Sequence, residues 1–114
     1  MTRSKVVLVP FPFDDLSTTK VRPALCLTDP FGPHRHVVLA FISSQIPADL
    51  SDSDLVLDSN RADFAVTGLR VSSVLRLHRL ITVTTALIRR EMGQITPAIQ
   101  AEVAGKLHKL FGLT

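Results

Sequence analysis

The sequence of 114 residues has few of the residue types that mark specialised chemistry. It contains no tryptophan, no tyrosine and a single cysteine, Cys26, so no disulfide can form within the chain. The apolar neighbours of Cys26 predict a small buried hydrophobe. The sequence also lacks a phosphate-binding glycine loop, a CxxC motif and a nucleophile elbow. These absences exclude a disulfide scaffold and the P-loop, thiol-redox and α/β-hydrolase types of site.

No apolar run is long enough to cross a membrane. The stretch VVLVPFPF is interrupted by Pro10 and Pro12 and is followed by Asp14 and Asp15, which makes it too short and broken for a signal peptide. A content of 46% apolar and 20% charged residues is typical of a soluble globular protein. We therefore expect a single domain, residues 1–114, in a reducing cytoplasm.

Acidic residues are missing from one long segment. Eight of the ten acids lie at or before Asp63, and none lies between Phe64 and Arg90, although the net charge is only +3. The acid-free segment contains five arginines, namely Arg70, Arg76, Arg79, Arg89 and Arg90. Such one-sided charge favours a polyanionic partner through phosphate contacts and steering, and a surface imbalance without function is the alternative.

Short runs rich in branched residues, separated by turn residues, predict a mainly β fold with a C-terminal α-helix. The predicted strands are 5–12, 22–28, 36–44, 54–58, 68–77, 79–83 and 92–96. Because several runs are apolar on both faces, we expect a small barrel covered on one wall by a helix or a partner subunit. The helix is predicted to begin after Thr96, the N-cap, and to end at Gly112. Its apolar stripe consists of Ile99, Val103, Leu107, Leu110 and Phe111.

Arg22 lies where a polar loop, residues 13–21, meets a strand. Because Arg22 precedes Pro23, its backbone is restricted to extended geometry before any tertiary contact forms. Its guanidinium offers five donors in a rigid fork that suits a bidentate contact with phosphate. The alternative is an exposed ion pair with Asp14 or Asp15, which would contribute little to stability.

The segment FISSQI, residues 41–46, ends an apolar strand with two hydroxyls and an amide. Ser43 and Ser44 point to opposite faces of a strand, so they cannot both meet the same ligand. Capping of a helix or a turn is the alternative role for these side chains.

Three histidines are candidates for proton transfer or metal binding. In RLHRL, residues 76–80, alternation places His78 on one face together with Arg76, and Arg79 on the opposite apolar face unless a bend re-aims it. His78 has a pKa range suited to proton transfer, but a solvent-facing histidine is commoner. His34 and His36 have the spacing of a metal pair without a third ligand, so a metal site is not expected.

The chain resembles the MazF/PemK-type toxins of bacterial type II toxin–antitoxin systems. Four segments carry the resemblance in order: VVLVPFPFDDLSTTKVRPALCLTD, VVLAFISSQI, TGLRVSSVLRLHRLITV and LIRREMGQITP. The resemblance implies an SH3-like small β-barrel with a C-terminal helix. It implies a homodimer that cleaves single-stranded RNA sequence-selectively, without a metal or other cofactor. It also implies an acidic antitoxin partner whose disordered tail lies along the RNA-binding groove.

The resemblance also assigns residues. Arg22 matches the catalytic arginine of the family, and Ser43 matches its catalytic threonine, with a hydroxyl retained and a methyl lost. Arg79 falls near the position where related toxins carry a polar RNA-contacting residue, and an arginine there would add a phosphate contact rather than read a base. The expected RNA-binding residues are Asp15, Ser17, Thr18, Thr19, Lys20, Pro23, Ser44, Gln45, Arg76 and Arg79.

Two other functions remain open at this point. A barrel of this kind can act as a non-catalytic toxin or binding module that blocks a protein target. It can also be a folded but inactive copy that binds only its antitoxin. The identity of the general base and the RNA motif are left open by the sequence.

Overall fold

Six antiparallel strands form one curled sheet of half-barrel shape, followed by one α-helix, within the residues that the structure describes. This computed structural model describes residues 2–11, with Phe11 by its backbone alone, and residues 20–113. The elements are β1 (Lys5–Phe11), β2 (Lys20–Cys26), β3 (His36–Ser43), β4 (Asp54–Leu57), β5 (Ser73–Thr84), β6 (Arg90–Gln94) and α1 (Pro97–Leu110). The strand order is β4-β5-β3-β2-β1-β6. The predicted mainly β fold with a C-terminal helix is confirmed.

The predicted strands differ from the observed ones mainly in β5. The sequence predicts two strands, 68–77 and 79–83, with a break at His78. That prediction is wrong, because one strand runs without a break over Ser73–Thr84. Each of the other five strands begins and ends within two residues of its predicted bounds.

A bulge explains why β5 continues through the predicted break. Ala40 of β3 pairs with Leu80, whereas the next residue, Phe41, pairs with Arg76. Residues 77–79 of β5 therefore have no counterpart on β3. Extra residues of this kind bend and twist a strand without ending it.

Apolar side chains fill both faces of the sheet. One cluster contains Val6, Leu25, Ala40 and Leu75 and is covered by α1. The other cluster lies on the opposite face and consists of Val7, Val9, Ala24, Cys26, Val37 and Leu39. Burial on both faces is the reason why the strands read as nearly continuous apolar runs. Burial also raises the pKa of the Cys26 thiol to about 11, in line with its predicted role as a buried hydrophobe.

The helix begins as predicted. The Thr96 hydroxyl accepts a hydrogen bond from the Ile99 N–H at 3.3 Å and donates one to Asp63 Oδ2 at 2.9 Å. Pro97 occupies the first turn, where its missing N–H leaves no helical bond unmade. Gly112 follows the helix with a φ of 66°, a conformation that favours glycine at a helix end.

The apolar stripe of α1 is only partly covered. Ile99 and Val103 are buried against the first cluster and Leu107 is half-buried there. Leu110 and Phe111 were predicted to share this contact, but they are 40% and 56% exposed, so this part of the prediction is wrong. In the described part of the chain, no helix is long and apolar enough to cross a membrane.

Candidate functional site

Arg22 lies on the part of β2 that no longer pairs with β3. It is opposite Val9 in the ladder between β1 and β2, which covers most of β2. With β3, by contrast, β2 pairs only over residues 24–26. The strand that carries Arg22 is therefore held from one side only.

Pro23 accounts for the end of the pairing at Ala24. The Leu27 N–H donates to the Val38 carbonyl at 2.9 Å, so the odd-numbered residues of β2 direct their backbone groups toward β3. By this alternation, the N–H of residue 23 would also have to donate to β3 for the pairing to continue. Proline has no N–H, so this hydrogen bond cannot form. The two strands separate there, and the side chain of Arg22 is exposed next to the gap.

Across the described residues, the Arg22 guanidinium has no hydrogen-bond or ion-pair partner. The alternative ion pair, with Asp14 or Asp15, lies outside those residues. The exposed and extended placement of Arg22 near the start of β2 agrees with the geometry expected before a proline. Within the described part of the chain, all five N–H donors of this guanidinium are therefore unused.

Ser43 is brought to the same place from the next strand. It is the last residue of β3 and pairs with Val74. The last pair between β2 and β3 joins Ala24 to Phe41. Arg22 precedes Ala24 by two residues and Ser43 follows Phe41 by two, so alternation along each strand places both side chains on one face of the sheet.

The Ser43 hydroxyl already shapes a turn. It accepts a hydrogen bond from the Gln45 N–H at 3.1 Å, while its distance to the Gln45 carbonyl is 3.5 Å. The second distance is long for a bond that an O–H donates, so that donor is available to a stronger acceptor. The turn-capping role is therefore present, and the O–H is only weakly bonded to the Gln45 carbonyl.

The other predicted RNA-contacting residues fall into two groups. Asp15, Ser17, Thr18 and Thr19 lie outside the described residues. Lys20 begins β2, and Ser44 and Gln45 follow β3; all three are exposed.

Arg76 contacts a buried carboxylate that the sequence analysis did not single out. Asp54, the first residue of β4, pairs with Arg76 of β5, and its Oδ1 lies 3.0 Å from Arg76 Nε. Asp54 Oδ2 accepts bonds from the Ser51 N–H at 2.9 Å and the Ser51 hydroxyl at 3.1 Å. Burial by itself raises the pKa of Asp54, but the hydrogen bonds from Ser51 and Arg76 outweigh it and the pKa is lowered. Asp54 is therefore a fixed negative charge.

His78 lies beside the same carboxylate. Its Nδ1 shares a 2.7 Å hydrogen bond with the Ser53 hydroxyl and lies 3.9 Å from Asp54 Oδ1. Both Arg76 and His78 thus contact side chains of the segment around β4, in line with the predicted common face.

Arg79 lies on a different face from the one that simple alternation gives. Its guanidinium lies over the ring of Phe41, 5.9 Å from the centroid. Phe41 is paired with Arg76 and is two residues from Ser43, so Arg79 is on their face of the sheet. The bulge at 77–79 is the physical reason, because it breaks the alternation. We call this surface the arginine face; it consists of Arg22, Phe41, Ser43, Arg76 and Arg79.

The paired histidines show no sign of a metal centre. The rings of His34 and His36 are 5.8 Å apart and tilted. No group of three His, Cys, Asp or Glu residues in the described ranges is arranged to hold a metal ion.

Comparison with known proteins gives a family and a fold. A sequence model described as "PemK-like, MazF-like toxin of type II toxin-antitoxin system" matches residues 2–111. No curated protein sequence matches the chain.

Several solved structures share the fold. A chain of the MazE–MazF complex (Form II) from Deinococcus radiodurans superposes with a TM-score of 0.74 at 21% identity, covering 100% of this chain and 97% of that one. An endoribonuclease from a mycobacterial species, in complex with its cognate antitoxin, gives 0.73 at 14% identity over 100% and 97%. The Mycobacterium tuberculosis toxin MazF-mt6 gives 0.70 at 20% identity over 95% and 96%. Because the match to the family covers nearly the whole sequence, this chain belongs to the PemK-like, MazF-like toxins of type II toxin–antitoxin systems.

Proposed function

We propose that this toxin is a metal-independent, sequence-selective endoribonuclease that cleaves single-stranded RNA. One observation carries the proposal. Arg22 is exposed, held extended by Pro23 and unpaired in the described part of the chain, and Ser43 lies on the same face of the sheet at the end of the neighbouring strand β3. Membership of the toxin family supports it, as does the fold shared with two structures described as endoribonucleases.

The chemistry uses the RNA's own nucleophile. The ribose 2′-hydroxyl gives its proton to a general base as its oxygen attacks the adjacent phosphorus, the bond from phosphorus to O5′ breaks, and O5′ takes up a proton. The products are a 2′,3′-cyclic phosphate and a 5′-hydroxyl. Negative charge gathers on the phosphoryl oxygens in the transition state, and the preorganised Arg22 guanidinium stabilises it; loss of one such donor typically costs about 3–4 kcal/mol. Guanidinium groups are poor proton acceptors in proteins, so the role of Arg22 is electrostatic and the general base is another group.

Ser43 acts as a hydrogen-bond donor in this scheme. Its O–H, poorly satisfied by the Gln45 carbonyl at 3.5 Å, positions a phosphate oxygen or a proton-carrying group. Lys20, Ser44, Gln45, Arg76 and Arg79 extend the contact along the RNA, together with Asp15, Ser17, Thr18, Thr19 and Pro23. Single-stranded RNA suits such a surface because its bases are unstacked and readable.

We propose two protein partners on the same basis. One is a second copy of the chain, and the other is an acidic cognate antitoxin that complements a net charge of +3. Two of the similar structures contain a toxin together with its antitoxin. Light scattering of the purified chain tests the homodimer.

The experiment is cleavage of a long single-stranded RNA in EDTA by the wild type, Arg22→Ala and Arg70→Ala. We expect Arg22→Ala to be slower by about 100- to 1000-fold. Arg70→Ala removes an exposed arginine outside the arginine face and should cleave at the wild-type rate. The products should carry 2′,3′-cyclic phosphate and 5′-hydroxyl ends.

Other outcomes point to the other functions. Equal cleavage by the wild type and Arg22→Ala would show that the role of Arg22 is wrong. Growth arrest by Arg22→Ala, without RNA cleavage by either protein, would favour a toxin that blocks a protein target. Neither cleavage nor arrest by the wild type would favour an inactive copy.

A further inference from the structure

We propose that Asp54 is a positioning residue that holds Arg76 ready for a second RNA phosphate, near the one bound at Arg22. The inference rests on the proposed function, since it assumes RNA on the arginine face. It assigns Asp54 no contact with RNA. The carboxylate acts only through the arginine that it orients.

In the ion pair, the carboxylate of Asp54 is buried and the guanidinium of Arg76 is partly exposed. The side chain of Asp54 is 0% exposed and that of Arg76 is 27% exposed. Arg76 uses Nε for Asp54 Oδ1, while Asp54 Oδ2 already accepts two bonds from Ser51. Asp54 therefore occupies only one of the five N–H donors of Arg76, and the four on the two terminal nitrogens make no hydrogen bond to any described residue. A pair of parallel N–H groups is the arrangement that binds phosphate bidentately.

The register places this open end near Arg22. Arg76 pairs with Phe41, and Phe41 pairs with Ala24, two residues from Arg22 on the same strand. Two strand spacings and a two-residue step put the backbones of Arg22 and Arg76 about 12 Å apart. Both side chains stand on one face of the sheet. Long side chains at that separation reach nearby phosphates of a single RNA strand.

The contact with Asp54 orients the Arg76 side chain before RNA binds. A free arginine side chain loses several rotatable bonds when it binds, which weakens the complex. Asp54 fixes Arg76 before RNA arrives, and Ser51 in turn fixes Asp54 through two hydrogen bonds. His78 Nδ1 lies 3.9 Å from Asp54 Oδ1, but its hydrogen bond is with the Ser53 hydroxyl. His78 therefore does not replace Arg76 at that oxygen.

The test measures the affinity of the full-length protein for a 2′-O-methylated single-stranded RNA, which cannot undergo 2′-hydroxyl attack. The variants are Asp54→Asn, Arg76→Gln and the double variant, each over a series of salt concentrations. Removal of a negative charge strengthens RNA binding by simple electrostatics. Loss of positioning weakens it, so the sign of the Asp54→Asn effect separates the two explanations.

We expect Asp54→Asn to bind roughly fivefold more weakly, and to have no further effect in the Arg76→Gln background. Arg76→Gln should also lower the slope of log affinity against log salt by about 0.7, the loss of one phosphate contact. Asp52→Asn is the matched control, because Asp52 is an exposed acid two residues away that pairs with Lys109 at 2.9 Å. It should bind RNA as well as the wild type or slightly better.

Arg76→Lys keeps the inference testable if Asp54→Asn fails to fold, since lysine retains the charge but not the fork. We expect it to bind as weakly as Asp54→Asn; wild-type affinity would overturn the inference. Equal strengthening by Asp54→Asn and Asp52→Asn would also overturn it, even where Arg22 is essential for cleavage. A wild-type protein that neither binds nor cleaves RNA would instead overturn the proposed function.

Discussion

At the scale of the residue, Pro23 acts on Arg22 in two separate ways. Within the chain, it restricts Arg22 to extended geometry. Between the strands β2 and β3, Pro23 lacks the N–H that would continue the ladder, so the pairing ends at Ala24. The first effect is local and visible in the sequence. The second depends on which residues of β2 face β3, and therefore on the register.

Ser43 gives a prediction at this scale. Ser43→Ala removes the hydroxyl, and we expect RNA cleavage to slow by about tenfold or more as a positioned hydrogen bond to the reacting group is lost. Ser43→Thr retains the hydroxyl and adds a β-branch, which narrows χ1 in a strand. We expect it to cleave RNA at least as fast as the wild type. Single-turnover cleavage rates measure both.

Ser43→Ala also removes the bond from the Gln45 N–H, so its thermal unfolding must be followed in parallel. A variant that is folded and cleaves at the wild-type rate would contradict a catalytic role for the hydroxyl. A loss shared equally by Ser43→Thr would point to steric demands at this position instead.

At the scale of the element, the bulge in β5 decides how the arginine face is composed. Strict alternation through RLHRL would put Arg79 among the apolar side chains, with Leu75 and Leu77. Residues 77–79 have no counterpart on β3, and Arg79 therefore turns to the ring of Phe41. A bulge leaves no clear mark in a single sequence, because it depends on a mismatch between two strands.

The start of α1 gives a prediction at this scale. Thr96 caps the helix through the Ile99 N–H and bonds to Asp63, which links the helix to the connection between β4 and β5. Thr96→Ala should lower the free energy of unfolding by about 1–2 kcal/mol. Thr96→Ser keeps the hydroxyl and should remain close to the wild type. Urea unfolding followed by circular dichroism measures both, and equal losses would show that the methyl group matters rather than the cap.

At the scale of the whole molecule, ionised carboxylates link the elements and set the response to acid. Hydrogen bonds from Arg61 and Thr96 lower the pKa of Asp63 from 3.8 to about 2. The folded protein therefore holds this carboxylate ionised where the unfolded chain would already bind a proton. Its stabilising contribution is fully present above the unfolded pKa and is lost as the pH falls through the folded one.

We therefore expect the melting temperature to fall between about pH 5 and pH 2, and to fall less steeply in Asp63→Asn. That variant lacks the titrating group but keeps a similar shape. Thermal melts at a series of pH values check the prediction. Curves that run parallel for the two proteins would show that Asp63 does not contribute to the acid response.

The fold also distributes the arginines of the acid-free segment over different parts of the molecule. The five arginines of the acid-free segment predict one basic region, but the fold separates them. Arg76 and Arg79 join Arg22 on the arginine face, whereas Arg70 lies in the connection before β5 and Arg90 lies on β6 opposite Leu8. Nearness in sequence therefore did not predict which of these arginines share one face of the sheet.

The sequence by itself determined the features that depend on a few neighbouring residues: most of the strands, the Thr96 cap, the stiff backbone of Arg22 and the toxin family. Only the tertiary structure decided how these features meet. The union of β5 into one strand, the turn of Arg79 and the burial of Asp54 against Arg76 all depend on pairing between distant segments. Capping and the effect of proline act within a few residues, whereas register is fixed by the packing of the whole sheet. For that reason Arg22 was recognisable in the sequence and Asp54 was not.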